Sequence, residues 1–404
     1  MKKIYIFNIF VTLILHIIIP ICIYLIFGFQ YEYAPVKEQY VYMAAIILAG
    51  VLLVSAILIV VFSRNKRNIT LQNLYDSKLL GGNTIEIIFI FTLFINIIKI
   101  IQTGNFDSIL NGAGNGSIIA YLQLFFDIRV VYFCVLIKSY RAKSFGKIFL
   151  WSILYVGISL MYSSRSGILW MVFFNAWIVL GVEISSRMKK NILLIICLAV
   201  GISPFLFAYS TNSRATERQS AQYMAHKIVA RISYDEIAGI ELEQYMENKY
   251  QKEIFQEKYG LINQLEQCIN SIMPGDLFES DVQPNQYWRA VFVGWSLQGC
   301  QEHYMSMTSM LPMYLIMKYG FFYGITISIL VIVGIYFLIS KIKEPVVSSF
   351  LAGVIFYTFF QFFDWCYHFR DMFCFVLTFL MIRCLGILTN KIKIRSFRLG
   401  RACV

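Results

Sequence analysis

Arginines and their neighbours carry the first chemical signal in this chain. Arg214 and Arg218 are four residues apart, which sets both on one face of a helix. Arg231 follows about three and a half turns later. Arg165 stands in the short turn Ser163-Ser164-Arg165-Ser166-Gly167 between two apolar runs. A guanidinium binds oxyanions through paired hydrogen bonds, so this set suits a phosphate or pyrophosphate headgroup. The alternative is a set of ordinary helix ion pairs with Glu217, Asp235 or Glu236. Arg289 follows Tyr287 and Trp288, a setting for sugar or phosphate, or for an ion pair with Asp281. Glu302, His303 and Tyr304 offer a carboxylate and an imidazole, either of which can take a proton from a sugar hydroxyl. An exposed polar triplet is the competing reading. The nine cysteines form no Cys-x-x-Cys pair and no Cys/His metal spacing, so the sequence predicts neither metal nor cofactor.

The elements that must position these residues follow from composition. Apolar residues make up 58% of the chain and charged residues 14%, with a mean hydropathy of +0.66. A soluble domain of this length needs more charge to cover its surface, so lipid must cover much of this one. Apolar runs long enough for roughly 30 Å of hydrocarbon fall at about 5–27, 40–62, 84–101, 118–138, 147–162, 167–183, 192–209, 319–340, 346–365 and 371–388. The first run is too long for a signal-peptide core and lacks a small-x-small cleavage site, so a retained span is expected. The fold predicted is all-α and polytopic, with about ten transmembrane helices. With the N-terminus inside, 20 of the 35 Lys and Arg residues fall in inward segments. Short outward loops hold only Lys37, Arg165 and Arg370, as the positive-inside rule requires.

This topology divides the chain into spans one to seven (1–209), a large extracytoplasmic loop (210–311), spans eight to ten (312–390) and a basic cytoplasmic tail (391–404). The loop carries 13 acidic residues against 8 Lys and Arg, which excludes nucleic acid as its partner. The surplus positive charge of the chain lies on the cytoplasmic side, against anionic lipid. The loop reads helical from Thr211 to about Ile272, with Met273-Pro274-Gly275-Asp276 as a breaker. Cys268 and Cys300 share it and are a candidate disulfide. Within the spans, Asp127 and Arg129 are two apart, so they do not face each other on a helix and need partners elsewhere. Glu86 and Lys99 read as interfacial. Asp364, His368, Arg370 and Asp371 gather at the last outward turn.

Three features together resemble the Wzy-type oligosaccharide repeat-unit polymerases, the O-antigen polymerases. One is the Ser-Arg-Ser-Gly turn, and another is the long loop that follows it. The third is the loop ending Met307-Thr308-Ser309-Met310-Leu311-Pro312-Met313-Tyr314, followed by Lys318-Tyr319-Gly320-Phe321-Phe322-Tyr323-Gly324. The resemblance covers most of the chain as architecture and these short motifs as sequence. A loop pattern of some members, Arg with Gly eleven positions later, is missed by one between Arg289 and Gly299. The resemblance implies a GT-C-like architecture and glycosyl transfer at the outer face of a bacterial plasma membrane. The growing glycan would leave its undecaprenyl pyrophosphate carrier for a hydroxyl on an incoming lipid-linked repeat unit. Arg165, Arg214, Arg218, Arg231 and Arg289 would bind pyrophosphate, and His303 or Glu302 would act as base. Tyr287, Trp288, Trp295 and Tyr304 would hold sugars.

Expected partners are undecaprenyl-pyrophosphate-linked oligosaccharides, membrane lipid and a chain-length regulator protein. An O-antigen ligase shares the loop and the donor, and remains an alternative. A lipid-linked oligosaccharide flippase or transporter is the alternative from another class. It predicts charges along the centres of many spans and short loops on both faces, whereas the chain has few central charges, one dominant loop and no internal repeat.

Overall fold

An apolar run in lipid must close its own backbone hydrogen bonds, which a helix does locally. The structure, a computed structural model, describes residues 2–28, 35–63, 79, 84–103, 118–161, 166–181, 190, 192–194, 197, 201, 233–250, 261–272, 292, 296, 309–361 and 365–402, and among these it is all-α. The helices begin with α1 (Lys2–Val11), a π-helical stretch (Thr12–Ile18), α2 (Ile19–Phe27) and α3 (Glu38–Phe62). Next come α4 (Thr84–Thr103), α5 (Ile118–Phe125), α6 (Ile128–Arg141), α7 (Phe145–Met161) and α8 (Ser166–Gly181). They end with α9 (Asp235–Met246), α10 (Leu261–Ile272), α11 (Leu311–Tyr319), α12 (Phe321–Ser340), α13 (Pro345–Gln361) and α14 (Trp365–Ala402).

The expectation of about ten spans is corrected. Among the described residues five helices are long and apolar enough to cross a membrane: Lys2–Ile26, Glu38–Phe62, Thr84–Gln102, Phe321–Ser340 and Phe369–Leu388. The run at 118–138 is broken at Phe126 and Asp127 into α5 and α6, because Asp127 takes an extended conformation and caps α6. The runs at 147–162, 167–183 and 346–365 fold as helices of 17, 16 and 17 residues. At 1.5 Å per residue these reach only about 25 Å. The run at 192–209 lies almost wholly outside the described residues. The GT-C-like architecture rested on ten crossings and falls with that count. The protein is largely helical and partly membrane-embedded.

The chain forms two compact units. The first contains Met1–Lys66, Thr211–Ile342 and Leu351–Arg370. Its α3 buries Val41, Ala44, Ala45, Leu48, Val51, Leu52, Ser55, Ala56 and Ile59, one seam at helical spacing. Ile46, Ile57 and Val60 on the opposite face are exposed, an apolar row that lipid can cover. The first helix carries Tyr5, Asn8, Thr12 and His16 along one buried stripe. Tyr5 donates to the Ile332 carbonyl (2.8 Å) and Asn8 to the Gly353 carbonyl (2.9 Å). α11 and α12 form a hairpin that turns at Gly320 (φ +86°). A Cβ at Gly324 would collide with the Ile316 backbone, so only glycine lets the two helices close.

The two ends of this unit can be told apart. Lys2 reaches the Val60 carbonyl (3.5 Å), and Tyr336 hydrogen-bonds Ser63 near that end. At the other end Lys37 and Tyr40 meet Glu247, and Tyr245 lies beside Gly320. The first helix therefore runs antiparallel to α3 and α12, and α9 docks at the Lys37 end.

The second unit contains Arg67–Ser210, Lys343–Phe350 and Asp371–Val404. Every residue of α6 from Val130 to Ile137 is buried, so this helix is its centre. Phe133, Phe174, Phe350, Phe375 and Phe379 pack around it edge-on or tilted. Tyr132 stacks on Tyr155 at 4.1 Å and shares a hydrogen bond with Ser152. Gly167, the glycine of the Ser-Arg-Ser-Gly turn, presses against the Ser159 side chain, which gives that residue a packing role between α7 and α8.

Candidate functional site

The site of the first unit begins with a proline. Pro20 has no N–H, so it cannot close a helical bond to the carbonyl four residues earlier, that of His16. A carbonyl left open within a span must find another donor. Here it accepts the backbone N–H of Tyr234 (3.2 Å). The His16 ring also stacks on the Tyr234 ring, with centroids 4.6 Å apart and planes inclined by 18°. The widened π-helical stretch Thr12–Ile18 contains this contact, and such stretches recur at functional positions.

Tyr234 delivers α9, whose sequence Asp-Glu-Ile-Ala-Gly-Ile-Glu-Leu-Glu-Gln-Tyr-Met is strongly acidic yet buried. Asp235, Glu236 and Glu241 have no exposed surface, and Glu243 has 9%. The helix packs along α3 and touches α11. Gly239 allows that approach: a Cβ there would lie 2.8 Å from the Val41 side chain and 2.9 Å from its Cα. Ser309 Oγ, in the loop-ending motif, donates to Glu241 Oε2 (3.1 Å). Ser233 Oγ accepts the Asp235 N–H (3.2 Å) and donates to its Oδ2 (3.4 Å). Asp235 Oδ1 is buried and has no hydrogen-bond partner among the described residues. Burial holds the Asp235 carboxyl well above the usual carboxylate range, against a smaller opposite effect of the Ser233 hydroxyl. Burial thus favours the protonated form of Asp235.

At the rim the acidic helix meets cations. Glu247 pairs with Lys37 (2.5 Å) and with Lys249, and Tyr40 donates to it (3.1 Å). The Lys37 N–H donates to Glu243 Oε2 (2.9 Å). Hydrogen bonds from Lys249 and Lys37 bring the Glu247 carboxyl down to about 2. The same bond raises Lys37 above its ordinary value.

Arg165, Arg214, Arg218, Arg231, Arg289, Tyr287, Trp288, Trp295, Glu302, His303 and Tyr304 all lie outside the described residues, as do Cys300 and Asp364. Cys268 is buried on α10. Asp235 and Glu236, read from sequence only as possible arginine partners, prove to be interior groups of the docked helix. His16, Pro20, Ser233 and Glu241 had no place in that reading, and Ser309 entered it only within the loop-ending motif. The available signals were a proline four residues after a histidine inside a span, and four acids on a twelve-residue helix with apolar neighbours.

In the second unit Asp127 and Arg129 do face each other, contrary to the helical-spacing argument. Asp127 is the extended cap of α6, so its carboxylate folds back onto Arg129 Nη2 (2.7 Å) and onto the N–H groups of Arg129 and Val130. The expected partner on another helix is Asp371, which grips Arg129 Nη1 and Nη2 at 2.8 and 2.7 Å. The guanidinium also lies 4.7 Å above the Phe375 ring centre. Asp371 thus serves an ion pair of this unit. Glu86 pairs with Lys147 (3.0 Å) and Lys138 (3.4 Å), whereas Lys99, expected at an interface, is buried.

No family model, curated protein or solved structure matches this chain. The geometry above therefore stands by itself as the basis for a functional reading.

Proposed function

We propose that this protein is a membrane-embedded glycosyltransferase. In this reading it polymerises undecaprenyl-pyrophosphate-linked oligosaccharide repeat units into O-antigen or a related surface polysaccharide, at the outer face of a bacterial inner membrane. One observation carries the proposal. The loop-ending motif of the family resemblance folds as the α11–α12 hairpin, and its Ser309 holds Glu241 of the buried acidic helix. The motif thus borders a set of groups suited to proton transfer, at the end of the unit away from Lys2.

The reaction needs three things. A base takes the proton of the acceptor hydroxyl, whose oxygen bonds to the donor's anomeric carbon. The bond from that carbon to the pyrophosphate oxygen breaks, and undecaprenyl pyrophosphate departs. Arginines of the 165–231 region and Arg289 would stabilise that leaving group. Tyr287, Trp288, Trp295 and Tyr304 would hold the sugars. The polar segment supplies acids and His303 for the base.

Deletion of the gene in a bacterium that makes this glycan, followed by size separation of surface polysaccharide, tests the reading. Glycan capped with a single repeat is the expected result. Complete loss of glycan from lipid A core would instead indicate a ligase. A flippase is the second reading, favoured by the buried carboxylates Asp235, Glu236 and Glu241, since acids within membrane bundles also serve ion-coupled transport. Its mark would be carrier-linked units retained on the cytoplasmic side. Arg165→Ala and Arg218→Ala should each abolish polymerisation while the protein still inserts; wild-type chain lengths in both would refute the pyrophosphate clamp.

A further inference from the structure

We propose that Asp235 is the general base of the transfer, with Oδ1 accepting the acceptor sugar's hydroxyl and Ser233, Tyr234 and His16 positioning the carboxyl; this rests on the glycosyltransferase reading. Among the described residues Oδ1 has no hydrogen-bond partner although Asp235 has no exposed surface. An orphan buried acceptor costs free energy, and an arriving hydroxyl relieves that cost. Oδ2 is already engaged by Ser233, which leaves one oxygen for the incoming group.

The surroundings favour a carboxyl that changes protonation. The first helix presents His16, with Tyr5, Cys22 and Tyr24 elsewhere along it. α3 contributes Glu38, Tyr40 and Tyr42, and Lys37 lies just before it. α11 brings Tyr314, Lys318 and Tyr319. α9 itself adds Glu236, Glu241, Glu243 and Tyr245. The cations placed by these contacts, Lys37 and Lys249, are at the rim on Glu247 and Glu243. Burial favours the protonated carboxyl at rest. Once Asp235 has lost that proton to water, its carboxylate takes the proton of the acceptor hydroxyl as the new glycosidic bond forms.

Access to Asp235 requires α9 to part from its neighbours. Its outer end is held by the exposed Lys37–Glu247–Lys249 cluster, and its inner end by the Tyr234–His16 contact. The positioning residues therefore also govern entry.

The test uses the full chain in lipid vesicles, with a synthetic undecaprenyl-pyrophosphate-linked repeat unit as probe. The polymerisation rate should rise with pH, and Asp235→Asn should lower it at least about a hundredfold and remove that rise. Asp235→Glu should restore part of the rate with a displaced pH profile. His303→Ala should keep the wild-type profile shape. Infrared spectra give a second readout that needs no turnover: the wild type should show a protonated carboxylic acid band that Asp235→Asn removes. Wild-type turnover by Asp235→Asn, or loss of the pH-dependent limb in His303→Ala instead, overturns the base assignment and spares the enzyme reading. If the wild type shows the band but forms no polymer, the enzyme reading fails and the base role fails with it.

Discussion

At the scale of single residues, Asp235 and Glu247 are carboxyls on or next to one helix with opposite acid–base behaviour. Asp235 has a folded value above its ordinary 3.8, so the folded chain binds more protons than the unfolded one. Its effect favours folding most in acid. It declines as pH rises above the ordinary carboxylate range, and levels off once the folded carboxyl ionises. Glu247 lies below its ordinary 4.5, at about 2. Its contribution is present above the ordinary range and is lost as pH falls from there toward about 2. Thermal unfolding in detergent across pH should separate the two. Asp235→Asn should flatten the decline toward neutral pH, while Glu247→Gln should remove only the acid-side loss. Added salt should weaken the Glu247 effect, because its partners Lys37 and Lys249 are exposed. Arg129 sets a different expectation. Arg129→Ala would leave Asp127 and Asp371 facing each other without a counter-charge. Since these side chains keep 11–28% exposure, a loss of roughly 2–3 kcal/mol is expected in the same assay.

At the scale of elements, α9 is held by a proline on one helix and a glycine of its own. Pro20→Ala restores an N–H that can bond to the His16 carbonyl, so it competes with the Tyr234 N–H. Amide hydrogen exchange should then quicken at Tyr234 and along the start of α9. Gly239→Val places branched carbons against the Val41 backbone and should cost about 1–3 kcal/mol. It should also release the same amides. The five full spans could be read from the sequence almost to the residue, because length and hydropathy alone decide them. The break at Asp127 could not, since a capping aspartate and a buried ionic one look alike in an apolar run. Nor could the burial of α9. Its four acids favour solvent in any local count, and only Pro20, more than 200 residues away, frees the His16 carbonyl that draws it in. Of the chemical residues, the sequence offers Asp235 and Glu236 only as arginine partners, and the arginines themselves lie outside the described residues.

At the scale of the molecule, exposed apolar rows and buried polar stripes invert the pattern of a water-soluble protein. Ile46, Ile57, Leu330 and Leu338 are exposed, while Asn8, Thr12, His16 and Asp235 are buried. Lipid is the solvent that accommodates both. The polar stripe on the first helix has a consequence for how the protein is made. Tyr5 and Asn8 leave the ribosome well before their partners Ile332 and Gly353, which are synthesised 327 and 345 residues later. Those two bonds can therefore close only after the later partners have emerged. A chain interrupted before residue 332 would make neither bond, and a span that lacks them is a mark that membrane quality-control proteases can recognise.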